Sequence, residues 1–251
     1  MNLKATIFCM VLPWIQILHA QDVAYLVKEA AELEKGLKEE DALRKLQDAL
    51  KIAPNDLHAL SKASMMSSQI GNRQKDDKKK SEYFQAGKAY AESALKVNAN
   101  DAEANFAMGM AMGRMALISS GKEKVQNVRE IRKYAEAALA SDPNYARAQH
   151  LMGKWNFEVT SLNFAEKAVI KLLFGGLPDA SLPQAIMWYE KARVQDPGFI
   201  LNYLELAKAY NENGQSDKAI DILNRMAKLP PKMQDDATYK AEGKKLLESL
   251  L

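Results

Sequence analysis

Between Pro197 and Pro230 the apolar residues fall on two matched stripes. Tyr203, Leu206, Ala207 and Tyr210 recur at helical spacing, Gly214 interrupts them, and Ala219, Leu223 and Ala227 follow. Large and small apolar residues on one face predict a short amphipathic helix, a turn at Gly214 and a second helix running back along the first. Small residues where two helices cross let the backbones approach, and large ones fill the space between turns. From Ile200 to the start of the next unit the period is about 34 residues, that of a tetratricopeptide repeat.

The same unit recurs upstream. Leu26, Ala30 and Leu33, a break at Gly36, then Ala42, Leu46 and Ala49 make the first copy, closing at Pro54 with Asn55 or Asp56 to cap the next helix. The second runs from Leu57 to Ala99, with a turn that Arg73 to Lys80 is expected to lengthen, its charged run reading as a solvated loop or a helix extension. The third opens at Asp101, places Met108-Gly109 at the crossing and has another long turn, Ser119 to Asn127. The fourth starts after Pro143 with Met152-Gly153 at the crossing and ends at Trp188, Ala192 and Pro197. A last helix, Gln234 to Leu250, is placed to cover the exposed face of the fifth repeat, as a stacked array requires. The pattern predicts an all-α solenoid of about five helical hairpins.

Repeat four carries an insertion, Ser161 to Pro183, between its two helices. In it Leu162, Ala165, Val169, Leu172 and Leu173 share one arc, Ile170 and Phe174 lie off it, and Gly175-Gly176 with Pro178 ends the helix. An apolar surface this broad, with Phe164 included, is expected to be buried on two sides or to wall a groove.

The first twenty residues are of another kind. Lys4 precedes an apolar run from Ala5 to Leu18, and Ala20 is a small residue before Gln21. The run is short for a membrane span and predicts a cleaved secretory signal, residues 1–20, ahead of one helical domain, residues 21–251. The protein is then exported, periplasmic or secreted, with no transmembrane span once processed. Cys9 is the one cysteine, so the processed chain has no thiol for a disulfide, a nucleophile or a metal.

The sequence His150-Leu-Met-Gly-Lys-Trp155, then Ser161-Leu162, Glu166-Lys167, Leu173-Phe174, Ala185, Lys191-Ala192, Pro197 and Leu206-Ala207-Lys208 with Tyr210, resembles the regulator of microtubule dynamics family. The resemblance spans about Ala146 to Asn213 and rests on the long insertion after the Gly-Lys-Trp helix; Phe164 stands where that family has Trp. It implies an all-helical repeat domain working in protein association, with hydrophobic or phospholipid ligands for some members, and it brings no catalytic residues. An export signal marks this chain as an exported, bacterial-type member, so the microtubule role is not carried over.

Composition narrows the chemistry further. A net charge of +3, with no arginine stripe among aromatics, gives no footprint for nucleic acid. His19, His58 and His150 are too scattered for a metal site. No phosphate loop or Gly-x-Ser-x-Gly elbow occurs, and Glu39-Glu40 reads as a solvated pair with nothing apolar to raise a pKa. The expectation is a non-enzymatic protein without cofactors.

What remains is a concave face. In this kind of repeat the first helices line it, and the register of the Pro197–Pro230 unit points inward Met65, Phe106, Met110, Arg114, Arg147, His150, Lys154, Phe157, Leu204, Lys208 and Asn211. Met adapts to varied shapes, and cations beside an apolar channel suit an anionic end. Two readings follow: a scaffold for an unidentified protein or peptide, or a carrier of a small amphipathic ligand such as a phospholipid or fatty acid. In a third, the superhelix or the insertion helix, through Leu162, Phe164, Ile170 and Phe174, fills the groove and these residues are core.

Overall fold

Outside the insertion, each stripe of apolar residues became a helix packed against the next repeat helix. The computed structural model describes the backbone of residues 8–251 and the side chains of residues 21–251. The expected signal segment lies outside the described side chains, and residues 1–7 lie outside the described backbone. Among these residues the chain forms twelve α-helices and no strand: α1 Phe8–Lys35, α2 Glu39–Ile52, α3 Leu57–Arg73, α4 Asp77–Val97, α5 Ala102–Ile118, α6 Gly121–Ser141, α7 Ala146–Ser161, α8 Phe164–Phe174, α9 Leu182–Gln195, α10 Ile200–Glu212, α11 Ser216–Lys228 and α12 Asp236–Leu250. None is long and apolar enough to cross a membrane.

Five hairpins stack, α1/α2, α3/α4, α5/α6, α7/α9 and α10/α11, and α12 closes the array against α10 and α11. The expected all-α hairpin solenoid, with its inserted helix in repeat four and its terminal cap, is the observed fold. Aspartates set three helix starts: the Asp56, Asp76 and Asp101 carboxylates accept from the backbone N–H of Ala59, Lys79 and Ala104, each at 2.8 Å. Gly214 takes φ +71 in the last hairpin turn, while in the first it is Leu37, not Gly36, that adopts φ +58.

The small residues sit where the stripes place them. A Cβ on Gly153 would come within 2.6 Å of the fully buried Tyr189 ring, and one on Gly109 within 2.8 Å of Leu151. Ala207 is fully buried in the cluster of Tyr203, Leu206, Tyr210, Leu223 and Met226.

Two turns are shorter than expected. Asp76 caps α4 early, so the lysine-rich run is the first turn of a long helix. Only Ser119 and Ser120 join α5 to α6, because Lys122 to Asn127 continues as helix. Beyond Asp76 in the one and Gly121 in the other, neither segment holds a helix breaker, so each second helix grows backward.

Candidate functional site

The inner helices α3, α5, α7 and α10, with parts of α1, α6, α8 and α12, surround a chamber of about 870 Å³. Its walls are apolar over most of their extent: Met65, Met66, Phe106, Met110, Trp155, Phe199 and Met233 line it, as do Val125, Val128 and Ile131 of α6. The concave face is therefore neither filled by core nor open along its length.

The ring is drawn together by one side chain. Arg73, at the end of α3, donates to Glu39 Oε2 (2.7 Å) at the start of α2 and to Asp235 Oδ2 (3.1 Å) just before α12. Repeats one and two are thereby tied to the last helix across the whole array. Glu39 is buried, which corrects the expectation of a solvated pair at Glu39-Glu40. Burial pushes its carboxyl above the ordinary value against the pull of Arg73. The sequence misleads here because Glu39 looks like any first-turn acid. Its cation comes from a residue read as part of a loop, and its burial from a helix almost two hundred positions away.

Arg114 and Arg147 line the chamber. Arg114 donates to Asn72 Oδ1 (3.0 Å), its Nε has no partner, and burial pulls the guanidinium below its usual pKa. Arg147 lies over the Phe199 ring at 4.3 Å, with an N–H 3.3 Å from Met233 Sδ. Among the described residues neither meets a carboxylate within ion-pair distance. The chamber's other charges largely do: Lys62 and His58 hold Glu103, and Lys154 holds Glu158 (3.0 Å) and Glu205 (3.3 Å). His150 is buried between Tyr189 and Phe199. Asn202 donates through its amide to Tyr189 O (2.9 Å), so its carbonyl faces His150 Nδ1 (3.0 Å), which donates. Burial brings the His150 pKa down to about 4, so the ring is neutral at physiological pH.

The structure thus gathers Met65, Phe106, Met110, Arg114, Arg147, His150 and Lys154 around one space, together with Leu162 and Ile170 of the insertion. Four expected positions are elsewhere. Leu204 is fully buried core, and Phe157 packs on the cluster between α9, α10 and α11. Asn211 accepts from Ser216 Oγ across the hairpin turn. Lys208 bridges Glu205 (3.1 Å) and Glu242 of α12 (2.8 Å). Phe157 and Asn211 hold the same place in successive repeats, and neither lines the chamber. In repeat five α12 covers the inner face of α10, leaving Leu201 and Glu205 as its lining residues. The wall supplied by α6 and by Met233, Asp235 and Tyr239 had no signal in a register that counts only first helices.

The insertion helix departs most from expectation. No residue of α8 is buried, and Phe164 and Leu172 are 88% and 84% exposed. The helix stands outward because Arg129 and Arg132 of α6 bind the backbone carbonyls that follow it. Arg129 donates to Phe174 O and to Gly176 O (3.1 Å), and Arg132 to Asp179 O (3.2 Å). Guanidinium groups at a helix C-terminus meet its free carbonyls and its negative end. Among the described residues no three His, Cys, Asp or Glu are grouped to hold a metal.

The family model for regulator of microtubule dynamics protein 1-3 matches residues 26–251. The chain belongs to that family. Members similar to it include regulator of microtubule dynamics protein 3 of Rattus norvegicus, 24% identical over 90% of this chain and 49% of the relative. Regulator of microtubule dynamics protein 1 of Bos taurus is 25% identical over 92% of this chain and 74% of the relative. The chain spans about half the length of the first of these. Among solved structures, a thermophilic tetratricopeptide-repeat protein of Thermus thermophilus superposes with a TM-score of 0.64 at 14% identity, covering 89% of this chain and 99% of that one. That likeness shows the repeat fold.

Proposed function

We propose that this member of the regulator of microtubule dynamics family is a non-catalytic binding protein whose chamber receives an apolar segment with an anionic end, contributed by a partner protein or peptide. The observation that carries this reading is Arg114, a guanidinium within the chamber wall with an unpartnered Nε and no carboxylate at ion-pair distance. A half-buried cation without a counter-ion is costly, and a carboxylate arriving with a ligand relieves that cost. Arg147 and the Met-bearing walls supply a second cation and an adaptable apolar surface.

A second reading, a carrier of a phospholipid or fatty acid, is favoured by enclosure: the Arg73 bridge closes the ring, and α8 walls one side through Ile170. Native mass spectrometry of the gently purified protein separates the two. Lipid-sized adducts that vanish in Arg114→Gln/Arg147→Gln support the carrier. A bare mass, with an acidic peptide added back and bound through the same two arginines, supports the scaffold. Failure of both classes to bind refutes the chamber as a site.

We also infer export, from Lys4, the apolar run and Ala20 before Gln21. The exported protein should begin at Gln21 by N-terminal sequencing; an intact Met1 on exported protein would refute cleavage.

A further inference from the structure

Helix α8 is capped at both ends by its own neighbouring residues. The Asn163 side-chain Oδ1 accepts from Glu166 N (2.9 Å) and Glu166 Oε2 accepts from Asn163 N (2.8 Å), a closed capping box. At the other end Gly175 takes φ +79, its N–H bonding Lys171 O and that of Gly176 bonding Ile170 O. The helix touches the body through α6, and its Lys167 donates to Thr160 O (2.8 Å) of α7. A cavity of about 310 Å³ lies between it and the segment at Gly176–Ala180, so it is not seated flush.

Its outer face is apolar and in water. Phe164, Val169, Leu172 and Leu173 are 88%, 51%, 84% and 64% exposed. At 100° per residue these four, with the exposed Ala165 and Ala168, sweep one unbroken half of the helical wheel. Ile170 and Phe174 lie on the opposite half. Lys171 and Lys167 border the arc beside Phe164, and Glu166 stands at its other edge.

We propose that the outer face of α8 docks on an anionic lipid surface, with the helix axis lying in the plane of the interface. Area and charge select this occupant. The helix is roughly 16 Å long, and half its circumference amounts to roughly 250 Å², well below the ~800 Å² per partner of a stable protein interface. A second copy or a folded partner would need flanking apolar surface that the basic border of α8 does not provide. An interfacial helix needs only an apolar face of this breadth with lysines at its edge. Lys171 is placed at headgroup level when Phe164 and Leu172 point into the acyl boundary, Lys167 is held back by donating to Thr160 O (2.8 Å) at the end of α7, and exposed Lys122 and Lys124 open the neighbouring α6. Arg129 and Arg132 fix the arc outward by holding the carbonyls at the helix end. The inference stands apart from what occupies the chamber.

The test reads α8 itself. Leu172→Cys, on a Cys9→Ser background, is labelled with nitrobenzoxadiazole, and Glu82→Cys on the exposed face of α4 is labelled as a control. With vesicles of equimolar phosphatidylcholine and phosphatidylglycerol, emission at 172 should rise several-fold and shift to the blue, while emission at 82 stays constant. The rise should shrink on pure phosphatidylcholine, in high salt and in Lys171→Glu. No change at 172 on the anionic vesicles overturns the proposal. A change at 172 without vesicles, with a doubled mass in sedimentation, assigns the face to a second copy and overturns it as well.

Discussion

His150 shows how much one buried side chain departs from its type. A histidine free in water takes up a proton near 6.5, whereas His150, enclosed by Tyr189, Phe199 and Asn202, does so only near 4. Between those values the unfolded chain binds a proton that the folded chain refuses, so stability falls as pH falls through that window. The loss amounts to on the order of 2–3 kcal/mol across the window. His150→Gln removes this titration, and its melting temperature should decline less from neutral pH to about pH 4 than that of the parent; parallel declines would place the ring in water. Neither the neutral state nor the Asn202 contact was legible in the sequence, where His150 read only as an inward position. The partner lies in the next repeat, 52 residues on.

Helix crossings were the most legible level. Gly109, Gly153 and Ala207 were assigned to crossings from spacing alone, and each is found in close contact there. A Cβ at Gly153 has nowhere to go against the buried Tyr189 ring, so Gly153→Ala should destabilise by about 1–3 kcal/mol. At Gly113 the nearest atom, Ile131 Cδ1, is 3.8 Å away, and Gly113→Ala should stabilise the helix by about 0.5–1 kcal/mol. Denaturant melts of the two variants check both signs; equal shifts would contradict the crossing geometry. Legibility stopped at α8. An apolar arc says that a helix wants cover but not whether its own chain supplies it, and here Arg129 and Arg132 hold the arc outward. Of the two readings open for the charged run before α4, solvated loop or helix extension, the Asp76 cap selects the second, and the turn is shorter for it.

At the scale of the molecule the array becomes a ring around a chamber, and this closure depends on pairs far apart in sequence. Arg73 meets Glu39 and Asp235 at separations of 34 and 162 residues. Periodicity locates neighbours within a repeat and between adjacent repeats, and it carries no information on where the last helix turns back. Arg73→Leu leaves the Glu39 carboxyl buried beside no cation and should cost on the order of 3 kcal/mol. Asp235→Asn, which leaves Glu39 paired, should cost less, and only Arg73→Leu should enlarge the radius of gyration in solution scattering. Unchanged melting and scattering for Arg73→Leu would mean that the ring closes by other contacts. As proposed, the chamber is a binding site selected by Arg114 and Arg147, which among the described residues meet no carboxylate at ion-pair distance. Its most direct measurement is photo-crosslinking in the protein's own cells, with benzoylphenylalanine at Met110 inside the chamber and at Glu82 outside it. Position 110 should give a discrete adduct and position 82 none, and the 110 adduct should be lost in Arg114→Gln/Arg147→Gln. No adduct at 110, or one indifferent to both arginines, would contradict that proposal.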